Sequence, residues 1–191
     1  MLARFGVVLA VSLLLVQSAY AQPAPAGAGA AAYGTKGRME AEGGLHLGYP
    51  LMSNNNGDYD IMFVGGFRYF VMDGLAVGGQ LRVGYWGGPG GTLFQFVPGV
   101  EYNFKTGGNI TPYVGAGLGF DYFSISQTVC FFGTCSTVSG STTAFLLDFQ
   151  GGVKFQLNPN MLIGVGLDIP LAFHDSTVAY LGVLGRFIYT F

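Results

Sequence analysis

The stretch that decides the fold is Tyr180-Leu-Gly-Val-Leu-Gly-Arg-Phe-Ile-Tyr-Thr-Phe191. Taken by twos from its end, it places Phe191, Tyr189, Phe187, Gly185, Val183, Leu181 and Ala179 on one face. Thr190, Ile188, Arg186, Leu184, Gly182 and Tyr180 fall on the other. Alternation with period two is the signature of a strand with one apolar face. Terminal segments of soluble domains tend to fray into water. An aromatic strand at this position is therefore expected to close into a structure that hides its edge.

Composition supports the same idea. Hydrophobic residues make up 50% of the 191-residue chain and charged residues only 9%, against about 25% charged in a typical soluble domain. Past the N-terminus there is no apolar run of the roughly 18 residues that a membrane-spanning helix needs. Apolar residues that are abundant but interrupted suit membrane strands. In lipid, such strands satisfy their backbone groups only as a closed barrel. The 33 glycines also oppose a helical bundle, where each costs about 1 kcal/mol relative to alanine.

Residues 1–21 read as a secretory signal peptide, with Arg4, an apolar centre from Val7 to Val16 and a small-x-small site at Ala19-Tyr20-Ala21. Cleavage is expected before Gln22, leaving seven basic against ten acidic residues. That balance gives no footing for nucleic-acid binding. Residues 22–37, rich in Ala, Pro and Gly, are expected to form a flexible periplasmic lead-in. Export also bears on Cys130 and Cys135, the only two cysteines. In an oxidising compartment a pair this close is expected to form a disulfide closing a short loop. No metal site and no cofactor are expected.

Turn signals divide residues 38–191 into eight segments: Arg38–Tyr49, Asp60–Val71, Leu75–Trp86, Thr92–Phe104, Ile110–Ser124, Thr142–Leu157, Met161–Leu171 and Tyr180–Phe191. Tight turns follow the second, fourth and sixth, and longer or Gly-rich connections follow the others, the longest spanning about Ser124 to Ser141. The expectation is an all-β, eight-stranded, antiparallel up-and-down transmembrane barrel with short periplasmic turns and longer external loops.

Alternation alone does not say which face meets lipid. Two features do. The charged face is rich in glycine (Gly66, Gly78, Gly84, Gly99, Gly117, Gly166), as a narrow lumen requires. Aromatics such as Tyr49, Tyr85, Tyr102, Tyr122 and Phe187 sit near strand ends on the apolar face, where interfacial girdles belong. The lumen is then expected to hold Glu40, Glu42, Arg68, Arg82, Glu101, Asp121, Asp148, Lys154, Asp168 and Arg186, with Gln80, Gln95 and Gln150 between them. Charges taken out of water need partners, so Glu42 is expected to face Arg186, and Gln150 to lie beside Asp168. Such a lumen implies a plug that holds the barrel together, rather than a wide pore.

Other constellations carry less. The His-x-Ser spacing of His174-Asp175-Ser176 resembles the lipid A deacylase barrels, but Thr177 stands where that family has Asn, and no acidic orienter follows. These read as turn residues. His46 reads as a hydrogen-bonded lumen residue. Asn54 to Asp60 lacks the later bidentate Glu of a calcium loop and reads as a solvated loop. Phe131 and Phe132 read as packing against other loops, with contact to a surface partner as the alternative.

The chain resembles the small eight-stranded outer-membrane proteins of the OmpA, OmpX and OmpW type. The residues that carry the likeness are Ala19-Tyr-Ala21, Thr111-Pro-Tyr-Val-Gly-Ala-Gly-Leu-Gly-Phe120 and Arg186-Phe-Ile-Tyr-Thr-Phe191. The resemblance implies location in the outer membrane and contact with its lipids and lipopolysaccharide. It also implies that Phe187, Tyr189 and Phe191 form a recognition signal for the barrel-insertion machinery. No segment corresponding to a peptidoglycan-binding domain is expected. The expected role is a non-enzymatic structural or surface-interaction barrel with an unnamed external partner. The alternatives are a narrow porin-like channel for small or hydrophobic solutes and, behind it, a lipid A-modifying enzyme.

Overall fold

The computed structural model describes residues 33–51, 59–87, 90–131, 134–173 and 177–191. The expected signal peptide, most of the lead-in, Asn54 to Asp58, Phe132 and His174-Asp175-Ser176 lie outside the described residues. Eight strands follow in order: β1 (Met39–Pro50), β2 (Asp60–Met72), β3 (Leu75–Trp86), β4 (Gly91–Asn103), β5 (Ile110–Phe131), β6 (Thr134–Asn158), β7 (Met161–Phe173) and β8 (Thr177–Thr190). Each pairs antiparallel with its neighbours in sequence, and β8 closes the ring on β1 from Glu40↔Thr190 to Pro50↔Tyr180. This is the eight-stranded up-and-down barrel that the alternation predicts. One end carries the turns at Asp73-Gly74, 104–109 and Pro159-Asn160, and is called the turn end below.

The barrel is inverted relative to a soluble protein. On β1 the carboxylates of Glu40 and Glu42 and the ring of His46 are buried, while Leu45, Leu47 and Tyr49 lie half-exposed on the outside. On β2, Phe63 is 72% exposed and Arg68 is buried. In water such an exterior would favour association, whereas hydrocarbon is the solvent in which it costs nothing. A charge on this face tests the reading. Leu81→Arg, halfway along β3, is expected to lower stability in lipid vesicles by about 2–4 kcal/mol, measured by urea unfolding. The same change in a water-facing side chain would cost almost nothing.

Three sequence expectations need correction. First, the Ser124–Ser141 stretch is no loop. β5 and β6 stay paired without a register shift from Ile110↔Phe155 to Phe131↔Thr134, whereas pairing of β5 with β4 stops at Ile125 and pairing of β6 with β7 starts at Phe145. A two-stranded ribbon therefore stands about 20 Å beyond the barrel wall, at the strand rise of ~3.3 Å per residue. Ser and Thr suit connections, but alternating with Ile125 and Val138 they fit a pleated ribbon equally well. The Cys130–Cys135 disulfide clamps the ribbon near its tip.

Second, the end of the expected lead-in is part of the barrel. Tyr33 is buried and packs edge-on against Phe70 with ring centroids 5.7 Å apart. Gly34 and Gly37 turn the chain with positive φ, and the Gly37 amide donates to the Phe70 carbonyl at 2.9 Å. Residues 33–38 thus form a strap across the turn end. Third, β7 and β8 reach further than expected, to Phe173 and from Thr177.

The strap is tied outside the membrane by Asp73, whose carboxylate accepts from the Lys36 amide at 2.9 Å and from Lys105 Nζ at 2.7 Å. The Lys105 bond, then the Lys36 amide, hold this exposed carboxyl below its usual range. A depressed folded-state pKa means that the contribution is complete above the ordinary Asp value and lost as pH falls through the lower one. Exchange of the Lys36 amide, corrected for intrinsic rate, is expected to accelerate only below about pH 4. A flat profile down to pH 2 would show that Asp73 does not hold the strap.

Candidate functional site

Inside the barrel, glycine makes room for long side chains. A Cβ on Gly182 would run into the His46 ring and the Asp168 carboxylate, and one on Gly166 would run into the Tyr113 hydroxyl. The space so freed is occupied by charge, arranged in two groups along the axis.

The group nearer the turn end has three carboxylates and three cations. Glu101 is its hub: its carboxylate lies 2.5 Å from Lys154 Nζ, 3.1 Å from Arg186 Nη1 and 3.7 Å from Arg68 Nη2. Glu42 takes Arg68 Nη1 at 2.5 Å and Arg186 Nη1 at 2.9 Å. Glu40 is 3.3 Å from Lys154 Nζ and accepts the Tyr33 hydroxyl proton. Lys154 also donates to the Tyr33 oxygen at 2.6 Å. The Arg186 guanidinium stacks over the Tyr113 ring, 4.4 Å from its centroid, a contact that favours a cation shut away from water.

The second group lies nearer the ribbon end. Arg82 Nη2 is 2.6 Å from Asp148 and Nη1 is 3.0 Å from Asp168. His46 sits between two carboxylates, with Nδ1 2.8 Å from Asp60 and Nε2 3.1 Å from Asp168. Only the imidazolium can donate from both ring nitrogens, so this geometry suits the charged form. Asp121 is buried and stands opposite Gln95 in register. Gln80 joins the two groups: it donates to Glu42 at 2.6 Å and accepts from Arg82 and from Gln150, each at 2.9 Å. Gln150 in turn donates to Asp148 at 2.6 Å. Polar contacts therefore run without a break from Asn103 at the turn end, through Glu101 and Gln80, to Asp60.

All ten charged residues singled out from the sequence are buried in this lumen. The ladder places Gln150 opposite Asp168. It places Ile188, not Arg186, opposite Glu42, so the Glu42–Arg186 pair forms along a diagonal. The sequence reading missed Tyr33, Tyr113, Asp60 and Asn103 as members of the network. Tyr113 was findable, since it alternates with the lumen glycines Gly115 and Gly117; Tyr33 was hidden in a low-complexity stretch. Phe187, Tyr189 and Phe191 are exposed on the outer face at the turn end, where Phe191 lies 6.2 Å from both Tyr189 and Phe67. Among the described residues no cluster of His, Cys, Asp or Glu is arranged to hold a metal ion.

No protein-family model matches the chain, and no curated protein matches it. Solved structures do. The chain is similar to the Neisserial surface protein A (NspA), with 16% identity over 81% of this chain and 96% of that one and a TM-score of 0.57. It is similar to the outer membrane protein OprG from Pseudomonas aeruginosa, with 13% identity over 82% and 97% of the two chains and a TM-score of 0.55. It is also similar to Ail, the attachment invasion locus protein of Yersinia pestis, with 17% identity over 82% and 100% and a TM-score of 0.54. At these identities the likeness is one of architecture. The chain has the fold of the small eight-stranded outer-membrane β-barrels.

Proposed function

We propose that this chain is an exported, integral outer-membrane barrel whose lumen is closed by its own charges and whose role is structural or played out at the cell surface. The observation that carries the reading is the unbroken polar network from Asn103 to Asp60, in which Glu101 and Arg82 each bridge strands across the barrel. A solute passing through would have to break buried ion pairs, each costly to separate. A lumen cavity lined in part by Arg68, Gln80, Glu101 and Gln150 measures about 20 Å³, space for roughly one water. The turn end is taken as periplasmic, because barrels of this kind keep their short turns there. The strap carrying Tyr33 would then close the lumen from the periplasm, and the ribbon would stand outside the cell.

The test is planar-bilayer recording on the reconstituted protein, with mass spectrometry of lipid A from the same vesicles. No steady conductance and unchanged lipid A are the expected results. A large steady conductance would replace this reading with that of a channel, and deacylated lipid A would replace it with that of an enzyme.

A further inference from the structure

The β5–β6 ribbon breaks a rule that natural sheets keep. Exposed strand edges invite pairing with other chains, and proteins guard them with charges, prolines, bulges or short length. Residues 122–147 contain no charged side chain and no proline. The ladder has no bulge, and from Cys135 to Ser141 the β6 edge faces no strand among the described residues. A two-stranded ribbon is also marginal in water on its own, yet here a disulfide maintains it. Its two faces differ. Ser124, Ser126, Thr128, Thr137, Ser139 and Ser141 continue the barrel's outward face, whereas Ile125 and Val138 continue the inward one, and Val138 is 60% exposed.

We propose that the β6 edge pairs antiparallel with the same edge of a second copy anchored in an opposing membrane, about a two-fold axis through Val138. This rests on reading the chain as a membrane barrel with the ribbon outside. Two identical strands pairing about a two-fold bring like residues together, so any charge near the axis would repel its own copy; this edge has none. The symmetry keeps the faces in register. Val138 meets Val138, apolar on apolar, Thr137 meets Ser139, hydroxyl on hydroxyl, and Ser136 meets Gly140, which has no side chain to oppose it. A two-fold perpendicular to the strands points the two barrels in opposite directions, which requires two membranes. Copies in one membrane point the same way, and a two-fold along the strands does not generate the staggered bonds of a parallel pair. Pairing β5 of one copy with β6 of a neighbour would set the ribbons about 10 Å apart. Eight strands tilted by about 40° make a backbone cylinder roughly 16 Å wide before side chains are added, so upright neighbours cannot approach that closely. Each contact is short, and many in parallel between two surfaces give the strength.

The test is clustering of phospholipid vesicles carrying the full protein, followed by turbidity, with heat-modifiable electrophoretic migration reporting barrel insertion separately. Vesicles with the unaltered protein are expected to cluster and empty ones not. Val138→Lys or Val138→Glu vesicles alone are expected to lose clustering, and a mixture of the two to regain it. Thr128→Lys and Thr128→Glu, on the far strand of the ribbon, are expected to cluster singly like the parent. Inserted parent protein that does not cluster vesicles would overturn the proposal, as would undiminished clustering by Val138→Lys, or loss of clustering by Thr128→Lys. A synthetic peptide of residues 134–142 is expected to protect the β6 edge amides of the parent from exchange and to inhibit clustering; absence of both effects would overturn the proposal.

Discussion

Glu101→Ala is expected to destabilise the barrel by about 3–5 kcal/mol, the cost of removing one partner from a buried ion network. The reason lies in the partners: Lys154, Arg186 and Arg68 all face this carboxylate, at 2.5, 3.1 and 3.7 Å. Without it, three buried cations share Glu40 and Glu42, and the group changes from balanced to an excess positive charge shut away from water. Glu101→Gln removes the charge but keeps an acceptor for Lys154 and for the Asn103 amide, which now donates at 3.1 Å, so it is expected to cost less than the alanine. Urea unfolding in lipid vesicles, followed by the single Trp86, measures both. A loss below about 1 kcal/mol for the alanine would show that water reaches this end of the lumen and screens the cations.

The second large effect belongs to the other group. Arg82 is fully buried and is the one arginine or lysine touching Asp148 and Asp168 among the described contacts. Arg82→Ala is expected to cost about 3–5 kcal/mol, because two carboxylates remain buried with only His46 to offset them. The assignment is checked by coupling. In the Arg82→Ala background, Asp148→Asn is expected to cost less than in the parent, with an interaction energy of about 0.5–3 kcal/mol. Additive losses would mean that the 2.6 Å contact contributes nothing specific to stability.

How much of this could be read in the chain follows from what lipid does to a sequence. A hydrocarbon solvent turns the usual pattern inside out while leaving its period at two, so strand number, strand order and the inward side of Glu40, Arg82 and Arg186 were legible. The ribbon was not, because Ser126, Thr128, Thr137 and Ser139 serve equally in turns and in hydrated strands, and no local signal separates the two uses. Tyr33 was lost for the opposite reason: one aromatic in an Ala-Pro-Gly stretch has no periodic neighbour to reveal its face. Partners across the lumen were the least accessible. Arg82 on β3 meets Asp148 on β6, three strands away around the ring. Such a contact depends on barrel stagger and side-chain length, neither of which appears in a linear pattern.

The division of the lumen charges into two groups has an electrical consequence. Near the turn end three cations answer three carboxylates, and the sum is zero. Toward the ribbon, Asp60, Asp148 and Asp168 share Arg82 and His46, so even with the imidazole protonated this cluster holds one more carboxylate than cations. The buried lumen is polarised along its axis, balanced toward the turns and negative toward the ribbon. A cation entering from the ribbon side meets an attractive potential and an anion is turned away, whereas the turn mouth, with Lys36, Arg38 and Lys105 against Asp73, is positive. If the plug is breached by mutation, the two mouths will therefore act on a passing ion with opposite sign.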